Sequence, residues 1–210
     1  GASSTNYTVT AIDSNGATSS KTFALVINGP LAAAQTIPTM TLTSSFAATS
    51  FTPVTGSGGT APLSYAVTPG LPSGLTMSSS TGAITGTPAS SSAATTHTVT
   101  VTDSAAGSAT ATFSLTVSAA LTTTLVIASE TLTATIATAS STPVTASGGT
   151  APLTFSISPT LPTGLTMSTS TGAITGTPTS SSARTNYTVT ATDANGATSS
   201  KTFSLAVSAA

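Results

Sequence analysis

The string "GGTAPLSYAV", which starts at Gly58, returns ninety residues later as "GGTAPLTFSI" from Gly148. The same shift carries "LPSGLTMSSSTGAITGTP" from Leu71 to "LPTGLTMSTSTGAITGTP" from Leu161. Self-similarity at a fixed spacing marks a repeat array, and this spacing exceeds solenoid periods and matches one small β-sandwich domain. A further echo is shorter. "TNYTVTAIDSNGATSSKTFALV", from Thr5, comes back from Thr185 as "TNYTVTATDANGATSSKTFSLA", identical at 18 of 22 positions, whereas the intervening copy from Thr95 matches at 9. The copies therefore alternate in type, with a super-period of 180 residues.

Each unit reads as short strands and turns. In "NYTVTATD", Tyr187, Val189 and Ala191 alternate with Thr188 and Thr190, which gives one buried and one wet face. "DANG" interrupts the pattern with Asn-Gly, a hairpin signal. "KTFSLAV" then places Phe203, Leu205 and Val207 on one face, and "TFSI" does the same for Phe155 and Ile157. Pro62, Pro69, Pro72 and Pro88 sit at strand margins, where no ladder donor is lost. About seven short strands per unit and no helical periodicity predict an all-β chain of tandem antiparallel β-sandwiches.

Composition narrows the function classes. Lys and Arg number three and Asp and Glu four, so 3% of the chain is charged, against about a quarter in ordinary soluble proteins. A net charge of −1 offers no electrostatic footprint for nucleic acid or for an anionic membrane surface. No apolar run approaches the length of a membrane span, so no membrane insertion is expected of this segment. Cysteine is absent, which excludes a disulfide framework. Ser and Thr fill about two fifths of the positions. Freely dispersed proteins usually stay apart by charge, so a neutral hydroxyl surface suits a molecule held in an assembly, under sugars, or tethered to something large.

The motifs GGTAPL(S/T)(Y/F), LP(S/T)GLTMS(S/T)STGAITGTP and YTVTATDANGATSSKTFSLAV resemble the bacterial putative-Ig repeats, cadherin-like modules found in tandem in large surface proteins. The resemblance covers essentially the whole chain. It implies Ig-like sandwiches in an extracellular or cell-surface array and brings no catalytic residues or cofactor with it. On this reading residues 30–119 and 120–210 are two Ig-like domains. Residues 1–29 hold only a hairpin, the last two strands of a preceding, truncated domain, since two strands cannot bury a core alone. That hairpin is either the cut end of a longer tandem protein or pairs with a neighbouring molecule. The function expected is structural: a segment of a fibre, filament or adhesin stalk whose partners are adjacent repeats or copies of itself. The rival is an adhesin module binding a carbohydrate or host protein; the absence of Trp and the scarcity of Tyr disfavour a sugar-binding face.

The candidate sites are few. His97, the single histidine, occupies the inward strand position of Tyr7 and Tyr187 and reads as packing, not as a member of a catalytic triad. Asp13 with Asn15 and Asp193 with Asn195 supply oxygens of the kind calcium takes, as cadherin-like modules do at junctions. A calcium loop wants several converging carboxylates, so a hairpin turn is the better reading. "NYT" at Asn6 and Asn186 fits the glycosylation sequon, and surface glycans on Ser and Thr are a further expectation. Finally, Glu130 shares strand parity with Leu132, and Lys201 with Phe203. Both charges are missing together in the middle unit, where Met40 and Ala111 stand. This pattern predicts a semi-buried Glu130–Lys201 ion pair.

Overall fold

The computed structural model describes residues 3–210. β1 (Ser3–Ile12) and β2 (Thr18–Ile27) form an antiparallel hairpin whose turn closes with the Asp13 amide donating to the Ala17 carbonyl at 2.9 Å. The next unit contains β3 (Ala32–Gln35), β4 (Thr39–Thr43), β5 (Ala48–Phe51), β6 (Val54–Ser57), β7 (Ser64–Thr68), β8 (Leu75–Met77), β9 (Ile84–Gly86), β10 (Ser92–Thr102) and β11 (Ser108–Ser118). The last unit repeats them as β12 (Thr122–Leu125), β13 (Ser129–Thr133), β14 (Thr138–Ser141), β15 (Val144–Ser147), β16 (Thr154–Ser158), β17 (Leu165–Met167), β18 (Ile174–Gly176), β19 (Ser182–Thr192) and β20 (Thr198–Ser208).

Each unit is a sandwich. A four-stranded sheet, ordered β4-β11-β10-β7 or β13-β20-β19-β16, faces a three-stranded sheet and a two-stranded one. The strands number nine per unit, two more than expected, and one of the divisions is made at a proline carbonyl. The Thr36 and Ile37 amides turn to the Pro53 carbonyl at 2.8 and 3.2 Å, cutting the first strand into β3 and β4. The Val126 and Ile127 amides do the same at Pro143. The freed second piece pairs parallel with the last strand, Thr39 beside Ser114 and Ser129 beside Ser204. The first and last strands thus run side by side, and all other pairings are antiparallel.

The predicted alternation is the core. Val99, Val101, Phe113 and Leu115 are buried in one sandwich, and Val189, Ala191, Phe203 and Leu205 in the other, with Thr100, Ser114, Thr190 and Ser204 between them on the outer face. Burying such side chains stabilises each by roughly 1.5–3 kcal/mol. The LPxGL and GxIxGTP motifs meet through their glycines. Gly86, at φ +124°, lies so close to Gly74 that a Cβ on it would stand 2.1 Å from the Gly74 carbonyl oxygen. That carbonyl accepts the Thr87 amide at 3.0 Å, and Gly164 and Gly176 repeat the contact. The motif is therefore a backbone-on-backbone crossing that only glycine permits.

The hairpin carries the same face without the other sheet. Tyr7 and Phe23 stack at 5.7 Å between centroids, yet they are 45% and 52% exposed, while their equivalents Tyr187 and Phe203 are buried.

Candidate functional site

Every copy closes its last hairpin on an aspartate, because a carboxylate at the turn entry can accept the amides two and four residues on. Asp13 Oδ1 accepts Asn15 and Ala17 amides at 2.9 and 2.8 Å. Asp103 Oδ1 accepts those of Ala105 and Gly107 at 3.1 and 2.7 Å, and its Oδ2 takes the Thr60 amide at 2.9 Å. Asp193 Oδ1 accepts Asn195 and Ala197, and Oδ2 accepts the Thr150 amide at 2.9 Å. One donor at Asp193 comes from the other sandwich: the Thr43 hydroxyl, at the end of β4.

That hydroxyl makes Asp193 a junction residue. Asn195 joins it, its Nδ2 donating to the Thr41 carbonyl at 3.2 Å and to Thr43 Oγ1 at 3.0 Å. Thr150 Oγ1 lies 2.9 Å from Thr43 Oγ1, which closes the network. Beside it, Phe46 from the loop after β4 packs on the second sandwich's core and over Gly196. The linker adds a backbone tie, the Gly149 amide donating to the Ala119 carbonyl at 2.8 Å. Asp193 is 5% exposed as a result. Burial there opposes ionisation, but the bonds from Thr43 and the Thr150, Ala197 and Asn195 amides outweigh it and hold the carboxyl below its ordinary range. At Asp103 the Thr60 amide leads, with Gly107 and Ala105 behind it, and the direction is the same despite partial burial.

This arrangement ties the two sandwiches together through protein hydrogen bonds. Each Asp193 oxygen already accepts two protein donors, and Asn195 turns its nitrogen, not its oxygen, toward the junction. Asp13 spends Oδ1 on turn amides in the same way. Among the described residues no three His, Cys, Asp or Glu side chains converge.

Glu130 and Lys201 are not brought together. The parallel register sets Glu130 opposite Leu205, four positions past Lys201, a distance of about 13 Å along a strand. Lys201 faces Val189 near where β13 has not yet begun, and its ammonium reaches solvent. Glu130 instead accepts the Ser141 hydroxyl at 2.9 Å. In the middle unit Met40 and Phe51 stand where Glu130 and Ser141 do, and both join the core; Ala111, at the Lys201 position, is a separate change. His97 is buried in its inward strand position: 1% exposed, stacked on Phe113 at 5.3 Å, with Nδ1 donating to the Pro69 carbonyl at 2.8 Å. Asn6 and Asn186 are exposed on β1 and β19, opposite Ala24 and Ser204.

Thr43, Phe46 and Thr150 carry no local signature, and sequence reading passes over them. So does Arg184, whose guanidinium binds the Ser129, Ser204 and Thr131 hydroxyls and laces β13 to β20.

Residues 30–118 and 121–208 each match the family described as Putative Ig domain. No curated protein matches the chain significantly. Among solved structures, the I-band fragment I67–I69 from titin is 15% identical at a TM-score of 0.44, covering 99% of this chain and 75% of that one. Sidekick-1 immunoglobulin domains 1–4 are 16% identical at 0.49, covering 97% and 58%. Mouse cadherin-23 EC22–24 is 16% identical at 0.34, covering 98% and 74%.

Proposed function

The chain belongs to the Putative Ig domain family through both of its sandwiches, and from that premise we propose that it is a structural segment of an extracellular fibre, filament or adhesin stalk of a bacterial surface. The observation that carries this reading is the junction. Two sandwiches meet through a buried carboxylate, two threonine hydroxyls, an asparagine amide and an inserted phenylalanine, with a two-residue connection between Ser118 and Leu121. Such a contact resists bending, and stiffness is what a stalk requires. The apolar face of the β1–β2 hairpin belongs, on the same reading, to the inside of another sandwich of the array.

The surface fits this role. With so few charges there is little for salt to screen, and low charge also removes one defence of strand edges against lateral association. Contacts between neighbouring molecules would then be made by Ser, Thr and Ala surfaces. Immunogold labelling of the source cells with an antibody against the two sandwiches is expected to decorate extended surface structures, and these should persist in molar salt. Labelling confined to the cell interior would contradict the proposal, and dissolution in molar salt would contradict the neutral contacts.

A further inference from the structure

The face that seats the Asp193 turn is built twice. Shifted by ninety residues, Thr43 becomes Thr133 and Phe46 becomes Ile136, in the same positions after β13. In the first sandwich these residues are covered by the second: Thr43 is 2% exposed. In the second sandwich Thr133 is only half-buried and Ile136 is 60% exposed. We infer that the Thr133–Ile136 face is a docking surface for a tandem repeat of the 30–119 type, which it takes through the Asp103–Gly107 turn. The occupant is thus a second copy of this chain's own middle domain placed next in line.

Three observations support that occupant, and the first and third choose it over a repeat of the 120–210 type. The first is order. The hairpin β1–β2, which leads directly into residues 30–119, matches the 120–210 copy at 18 of 22 positions and the 30–119 copy at 9. The domain type that owns Thr133 and Ile136 is therefore the one that precedes an Asp103 turn. The second is an unfilled acceptor. Asp103 takes three amides, as Asp193 does, and differs by the interdomain hydroxyl that Thr43 gives to Asp193. A threonine in the Thr133 position supplies that donor. The third is the fit of the neighbouring side chains. Phe46 lies over Gly196, next to Asn195. In the other turn these two positions are Ala106, held at φ 65°, and Ala105. A smaller Ile meets two methyl groups where a large Phe meets a bare glycine, and the turn without the amide loses the polar bonds that Asn195 makes. The two junctions are a polar Phe–Gly type and an apolar Ile–Ala type, and the matching dictates alternation.

This inference rests on the tandem-array reading and adds the order of the repeats to it. The test extends the full chain after Ala210 with a further copy of residues 31–119 or, separately, of residues 121–210. Both begin with leucine and keep the same linker. Hydrogen exchange at the Thr133 and Ile136 amides is expected to slow by about tenfold or more in the first extension relative to the parent chain. The second extension should slow it by a clearly smaller factor, and Ile136→Phe in that extension should raise the protection. Ile136→Ser should abolish the protection in the first extension while leaving the parent's stability unchanged. Equal protection in both extensions would overturn the matching while leaving a stiff array intact. No protection in either would overturn the docking surface itself and count against the array reading as well.

Discussion

Gly176→Ala is expected to destabilise the second sandwich by about 4 kcal/mol or more, at the upper end for single substitutions. The new Cβ would lie 2.1 Å from the Gly164 carbonyl oxygen and 3.2 Å from Leu165 Cα, both backbone atoms that no side-chain rotation can move. Its φ of +125° adds strain of roughly 1–3 kcal/mol for any L side chain. Gly86→Ala should do the same to the first sandwich, where the approach is also 2.1 Å. Gly196→Ala, in the same sandwich, is the control. Its φ is +89° and a Cβ there would meet Phe46 Cζ at 3.8 Å, an ordinary contact, so mainly the left-handed strain of roughly 1–2 kcal/mol applies. Denaturant unfolding of each variant separates the cases, and a loss below 1 kcal/mol at Gly176 would refute the backbone-crossing account of the motif.

Asp193→Ala is expected to cost about 2–4 kcal/mol, because the Thr150, Asn195 and Ala197 amides and the Thr43 hydroxyl lose their acceptor together in a buried place. Asp103→Ala, without the interdomain hydroxyl, should lose less. The two aspartates also set the acid response. Their carboxyls titrate below the ordinary value near 3.9 when folded, so their stabilising contribution is complete above about pH 4. It is lost as pH falls through the folded values. Chemical unfolding measured between neutral pH and pH 2 should show stability dropping only in that acid range. Asp193→Asn should flatten the drop for the second sandwich, and an unchanged profile in that variant would refute the role given to the carboxylate.

The fold was legible because its signals are local and repeated. Alternation in "YTVTATD" and "TFSLAV" placed Tyr187, Val189, Phe203 and Leu205 inside without knowledge of any partner strand. The Asp193 turn was legible for the same reason, since its amides are two and four residues away. Its junction role was not, because Thr43 is 150 residues distant and an exposed-looking threonine in a Thr-rich chain announces nothing. Glu130 shows the intermediate case. Parity put it on the inward face correctly, but parity repeats every two residues and cannot fix register, so Lys201 was four positions out of place. The true partner, Ser141, was visible only as a polar residue where the other repeat has Phe51. Strand number falls short by two per unit, and one of those divisions arises because Pro53 and Pro143 act through their carbonyls on a strand elsewhere in the sequence.

Residual dipolar couplings recorded for residues 30–119 and 120–210 of the intact chain, first with a chelator and then with millimolar calcium, test most directly whether protein hydrogen bonds alone lock the two sandwiches. A single alignment tensor shared by both domains, identical in chelator, calcium and molar salt, is the predicted result, with Asp193→Ala splitting it in two. Two separate tensors in chelator that merge when calcium is added would contradict it, and would return the Asp193 and Asn195 oxygens to a metal.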